Sequence, residues 1–150
     1  MATDQQRPKT GGATVTPAAG CPTIADPQGL SIALGAFDGD ALVGTVTVEF
    51  SAKPKTRHKA LIIGMFVHAS ARRSGAARAL LQAALAAARA RPGVLLVTLT
   101  VTEGNTPALA LYESCGFHAF GVEPMAIATP AGYRGKVHMA LQLHPDVAGA

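Results

Sequence analysis

At 150 residues, with 49% hydrophobic and 15% charged side chains, the chain is long enough for one domain with its own core and too apolar to be disordered throughout. Its net charge of +4 is small and scattered: Arg7, Lys9, Lys53, Lys55, Arg57, Lys59, Arg72 and Arg73 form only modest clusters, with no interleaved aromatics to stack bases. That pattern does not claim nucleic acid, and a polyanionic small molecule accounts for it as well.

Residues 1–29 are rich in Pro and Gly and nearly free of bulky apolar side chains, so nothing there offsets ordering entropy, and a disordered or loosely attached tail is predicted. A globular domain is predicted over 30–143, with a short C-terminal tail at 144–150. The domain opens with a β-hairpin: Ile32, Leu34 and Ala36 alternate with smaller residues, Asp38-Gly39 marks the turn, and residues 43–50 alternate again. A basic loop, 51–59, leads to an apolar strand over 60–67, where Gly64 predicts a bulge or a close backbone approach.

Next comes a helix over 74–90. Ala77, Leu80, Leu81, Ala84, Leu85 and Ala88 form one stripe, with Arg78, Gln82 and Arg89 on the other. Arg91-Pro92-Gly93 ends it. Residues 94–101 read as a strand covered on both faces, and strand, helix, strand in this order predicts a right-handed parallel crossover. Asn105 is placed to cap a short helix in which Ala108, Leu111, Tyr112 and Cys115 share a face, and Gly116 closes it. Two further strands, roughly 117–126 and 136–143, are joined by a loop holding Pro130, Gly132 and Gly135. Cys21 and Cys115 sit in dissimilar contexts, which argues against a disulfide and for a reducing, cytoplasmic setting. No apolar run reaches membrane-spanning length, and the start of the chain lacks the apolar segment of a signal peptide.

The junction Val67-His68-Ala69-Ser70-Ala71-Arg72-Arg73-Ser74-Gly75-Ala76-Ala77 joins a strand directly to an alanine-rich helix. The first N–H groups of a helix are unpaired and carry partial positive charge, so small residues there let an anion approach closely. Arg72 and Arg73 add side-chain charge. With Arg72-x-x-Gly75-x-Ala77 after one strand and Asn105-x-x-Ala108-x-x-Leu111-Tyr112-Glu113-x-x-Gly116-Phe117 after the next, the chain resembles the GNAT superfamily of acetyl-CoA-dependent N-acetyltransferases over residues 30–143. The resemblance implies a mixed α/β fold, a largely antiparallel twisted sheet containing a parallel, splayed strand pair joined by the helix over 74–90.

It further implies that acetyl-CoA is the co-substrate, with no metal. The pyrophosphate would lie on Arg72, Arg73, Ser74, Gly75, Ala76 and Ala77, and the pantetheine arm along the strand backbone at Met65, Phe66 and Val67. The small side chains of Gly75 and Ala77 fit that role, or serve only to let the helix pack tightly. Asn105 is placed either to bond the pantetheine or to cap its helix. Tyr112 is either the acid that protonates the leaving thiolate or a packed core residue. Cys115 reads as core, since an activated thioester needs no covalent catalyst. A backbone N–H near 65–67 would serve the oxyanion. For the general base, Glu49, His58, Glu103 and His138 are the candidates, while His68 can simply face solvent.

Members of this family usually begin with a strand and one or two helices that wall the acceptor pocket, and residues 1–29 predict neither. The expected activity is acetyl transfer to a primary amine, of a small molecule or a peptide, by direct attack in a ternary complex. The alternative is a non-catalytic acyl-CoA-binding or sensing module. A homodimer in which a second subunit walls the pocket and covers the exposed sheet edge is a further expectation.

Overall fold

The computed structural model describes residues 9–10, 13–17, 29–72 and 74–144. Its strands form one sheet in the order β1-β2-β3-β4-β5-β6-β8-β7. These are β1 (Lys9–Thr10), β2 (Ala13–Pro17), β3 (Ser31–Asp38), β4 (Ala41–Phe50), β5 (Lys59–Val67), β6 (Leu96–Thr102), β7 (His118–Thr129) and β8 (Gly132–Gln142), with helices α1 (Ala76–Ala90) and α2 (Thr106–Ser114). Every neighbouring pair is antiparallel except β5 with β6. This is the mixed, mostly antiparallel sheet with one parallel pair that the sequence predicts.

Period-2 alternation divides the sheet into two faces. On one, Val46, Val48, Ile62, Val97, Leu99, Val101, Val137 and Met139 are buried. The apolar stripe of α1 (Ala76, Leu80, Leu81, Ala84, Leu85 and Ala88) joins the same cluster, as do Tyr112 of α2 and Phe117 just after it. The helices touch each other through Arg78, whose guanidinium donates to Ser114 Oγ at 3.0 Å. On the opposite face stand the alternate residues, Leu61 and Ile63 of β5, Thr98 and Thr100 of β6, and His138 of β8. All of these are exposed or half-buried.

Several boundaries differ from expectation. β1 and β2 lie inside the predicted tail, and β2 pairs with β3 from Thr14↔Phe37 to Pro17↔Leu34. Thr14-Val15-Thr16 is a β-branched run, and the open edge of β3 offers it a ladder, which together outweigh the flanking Pro and Gly. The helix begins two residues later than predicted because Gly75, at φ 82, is a left-handed cap and not a helical residue. The strand predicted over 94–101 runs instead from Leu96 to Thr102. The predicted loop between the last two strands is shorter, since β7 runs on to Thr129 and β8 starts at Gly132, so that Gly135 is no loop residue but lies within β8. A Cβ there would come within 2.9 Å of the Glu123 carbonyl oxygen on β7, so glycine serves close strand packing and not a turn. The rest of the predicted N-terminal tail, and residues 145–150 of the C-terminal one, fall outside the described residues.

Candidate active site

The parallel ladder of β5 and β6 is short. It pairs Lys59↔Leu96, Ala60↔Val97 and Leu61↔Thr98, then stops. β4 keeps its hold on β5 across the same stretch, but the register slips between Thr45 and Thr47, which pair with Phe66 and Ile63. Gly64 and Met65 thus oppose Val46 alone. Gly64 adopts φ 63, the left-handed residue that such a bulge requires and that glycine reaches without steric cost. The bulge bends β5 away from β6, and the backbone groups on the freed edge of β5 face a cleft.

That cleft has a volume of about 1000 Å³. Ile62 to Val67 line one wall, Leu99 to Thr102 the other, and α2 closes one end with Asn105, Ala108, Leu111 and Tyr112. Arg72, Gly75, Ala77 and Arg78 stand where α1 starts. Its lining draws on both faces of the sheet, Ile62 and Leu99 from the covered one, Ile63 and Thr100 from the bare one. The cleft therefore opens through the sheet.

At the start of α1, no side chain caps the helix among the described residues. The Gly75 carbonyl already accepts from Ala79 N at 3.0 Å, which leaves the N–H groups of the first turn for a ligand. This arrangement can take an anion at the helix N-terminus. Arg72 is exposed, its Nε donating to the Val67 carbonyl at 3.5 Å. Asn105 does cap α2, its Oδ1 accepting from Ala108 N at 3.3 Å, and it lines the cleft as well.

Tyr112 is buried, with its ring edge-on to Phe117 at 6.0 Å between centroids. Burial raises its phenol above the ordinary value of 10.0, because the phenolate would be poorly solvated there. The group is a neutral hydroxyl at physiological pH. It makes no hydrogen bond to a described residue and lines the cleft wall.

Of the residues predicted for the site, Met65, Phe66, Val67, Arg72, Gly75, Ala77, Asn105 and Tyr112 line the cleft. Ser74 and Ala76 do not: the Ser74 hydroxyl turns back to the Ala71 carbonyl at 2.6 Å, and Ala76 is wholly buried. Arg73 lies outside the described residues. Arg78 and Lys136 also line the cleft and were missed by the sequence reading. Arg78 sits on the polar stripe of α1 but in its first turn, beside the uncapped helix start, and that position was the available signal. Lys136 carried none, since only the β6–β8 register, Thr102↔Lys136, brings it there.

The model of the family described as "Acetyltransferase (GNAT) family" matches residues 7–117. The chain belongs to this GNAT acetyltransferase family. The match begins inside the segment predicted as tail, as β1 and β2 do. No curated protein matches the chain. Solved GNAT structures resemble it over most of the chain. An acetyltransferase of the GNAT family from Streptococcus pneumoniae is 22% identical with a TM-score of 0.73, covering 79% of this chain and 70% of its own. The ribosomal-protein-S18-alanine N-acetyltransferase from Escherichia coli is 22% identical with a TM-score of 0.73, covering 87% of this chain and 94% of its own. The yncA protein of Salmonella typhimurium, solved with its cofactor acetyl-CoA, is 20% identical with a TM-score of 0.68, over 75% of this chain and 65% of its own. These likenesses establish the GNAT fold. No helix of the described chain is long and apolar enough to cross a membrane.

Proposed function

We propose that this GNAT protein transfers an acetyl group from acetyl-CoA to a primary amine, by direct attack in a ternary complex. One observation carries the reading: a strand edge without a partner, an uncapped helix start and a buried phenol meet in a single cleft. The pantetheine amides pair with β5 beyond Leu61 as an added strand would, along Met65, Phe66 and Val67. The pyrophosphate rests at the helix start beside Arg72, Gly75 and Ala77, where small side chains permit close approach to the helix amides. Arg78 adds a second guanidinium one turn in. A backbone N–H of residues 65–67 stabilises the oxyanion. Tyr112 protonates the departing thiolate, and its burial supports that role because it keeps the proton in place until sulfur charge develops. Asn105 holds the start of α2 and, from the same position, reaches the pantetheine.

The acceptor approaches from the bare face of the sheet, opposite the helices. One structural likeness is named for alanine acetylation on a ribosomal protein, which makes a peptide N-terminus the first amine to assay beside small amines. We also place the protein in the cytoplasm, a setting that suits the free thiol of Cys115. A homodimer joined along β7 fits the exposure of that outer strand, where Phe120, Val122 and Met125 face solvent. Mass in solution checks this, and a monomer that still acetylates overturns it.

Thermal unfolding with and without acetyl-CoA tests cofactor binding, since a ligand held only by the folded state at a hundredfold above its Kd adds about 2.7 kcal/mol. No stabilisation would remove the cofactor assignment. Release of free CoA against a panel of amines then tests transfer. Stabilisation with no release from any amine would reduce the protein to an acyl-CoA-binding module. Tyr112→Phe is expected to lower kcat about 100-fold, the lower range for a positioned acid, while stabilisation by acetyl-CoA persists.

A further inference from the structure

On the bare face of the sheet, β6 and β8 bring Thr100 and His138 directly opposite each other. Paired residues on neighbouring strands project side by side from the same face, and Thr100 lines the cleft. His138 therefore stands one strand away from the cleft wall, on the side from which the proposed reading brings the acceptor. It is not left to rotate. Its Nε2 meets Glu123 Oε1 of β7 at 3.1 Å, and the Phe120 ring lies against it with centroids 5.9 Å apart.

An irregularity builds this arrangement. β7 pairs Ala119↔Met139 and then Gly121↔His138, so Phe120 is an extra residue that the ladder skips. Its side chain is freed to lie against the imidazole. The same slip puts Glu123 opposite Lys136, on the face that carries His138. An ionised carboxylate only accepts hydrogen bonds, so the imidazole nitrogen facing it must carry the proton. The neutral ring then holds its lone pair on Nδ1, which makes no hydrogen bond to a described residue.

We infer that His138 is the general base of the transfer, with Glu123 as its positioning residue. The inference rests on the acetyltransferase reading above. An acceptor arriving as an ammonium gives one proton to Nδ1 of His138, directly or through one water. The freed nitrogen lone pair forms the new C–N bond at the thioester carbon, and the carbonyl electrons move to oxygen. Their return breaks the C–S bond. The sulfur leaves with the bonding pair and takes the Tyr112 proton, while the second nitrogen proton restores Tyr112. The imidazolium, facing Glu123, releases its proton to solvent.

The other sequence candidates lie elsewhere. Glu49 pairs with Leu61 on the outer side of β5, away from the splayed segment, and His58 sits in the loop before β5, where its carbonyl holds Leu95 and Leu96. Glu103 is at the turn after β6, its N–H bound to the Gly135 carbonyl at 2.9 Å. Around His138, the titratable side chains on the same face are Glu123 and His118 of β7 and Lys136 of β8, while β6 offers Thr98, Thr100 and Thr102. Glu123 alone among these touches the imidazole.

The experiment measures kcat against pH for the full-length wild type, His138→Gln and Glu123→Gln, with thermal stabilisation by acetyl-CoA recorded for each. His138→Gln is expected to lose about 100-fold in kcat, in the range of a positioned base, to lose the fall in kcat on the acid side, and to keep its stabilisation by acetyl-CoA. Glu123→Gln, which weakens the hold on the imidazole at 3.1 Å, is expected to lower kcat by less than His138→Gln does and to leave KM unchanged. A His138→Gln protein within threefold of wild type and with an unchanged profile overturns the assignment and leaves the acetyltransferase reading standing. Loss of turnover together with acetyl-CoA stabilisation marks a structural role and overturns it too. A wild type that releases no CoA to any amine overturns both.

Discussion

On the face of the sheet that carries α1 and α2, Val46, Val48, Ile62, Val97, Leu99 and Met139 are buried, whereas Leu61, Ile63, Thr98, Thr100 and His138, interleaved with them on the same strands, are exposed or half-buried. The covered face holds nearly all the apolar burial and with it the stability. The bare face is free of that constraint and can carry polar residues whose positions serve something else. The cleft lies on the seam, where β5 leaves β6 and both faces reach the same space.

The largest expected effect is on the covered side. Gly75→Glu places a bulky anion at a left-handed position at the helix start and should abolish stabilisation by acetyl-CoA; a retained thermal shift would put the pyrophosphate elsewhere. Leu80→Ala empties a fully buried site in α1 and should cost about 3 kcal/mol in urea unfolding. Leu61→Thr, on the bare face at 37% exposure, should stay within about 0.5 kcal/mol. Equal losses at the two sites would erase the contrast between the faces. Gly64→Ala meets no atom within 4 Å, so its cost, about 1 kcal/mol, should come only from the left-handed backbone.

The smallest effect concerns pH. Folding raises the Tyr112 phenol above 10.0, so the folded state holds a proton that the unfolded chain has released. Stability is therefore unaffected by this group below about pH 10 and falls as pH rises beyond it. Tyr112→Phe should flatten that alkaline decline in a series of unfolding curves, and an identical slope would mean the phenol is not desolvated.

Much of the covered side was legible in the sequence, because its signals are local. The stripe of α1, the Asn105 cap and the glycine inside β5 each act within a few residues, and the strand-helix-strand order follows from them. The bare side was not legible in this way. His138 and Glu123 are fifteen positions apart, and they meet only because β7 slips past Phe120. β2 was hidden for a related reason: its pull comes from the open edge of β3, a neighbour that is distant in sequence. Lys136 reaches the cleft through strand register alone, and Arg78 could be told from an ordinary solvent-facing arginine only once the helix start had been fixed at Gly75.

A sheet ordinarily exposes unpaired backbone only at its two outer strands. Here the ladder that ends at Leu61 and Thr98 leaves a third edge in the middle of the molecule, where the backbone groups of β5 that point away from β4, from 62 onward, have only water to satisfy them until something takes its place. Amide hydrogens on this stretch should exchange with deuterium sooner than those of β4 beside it, and a ligand laid along the edge should slow them. The same gap is an invitation to any extended peptide. How well the empty protein resists such intruders depends on how rarely it stands empty, which ties its solubility to the supply of whatever it holds.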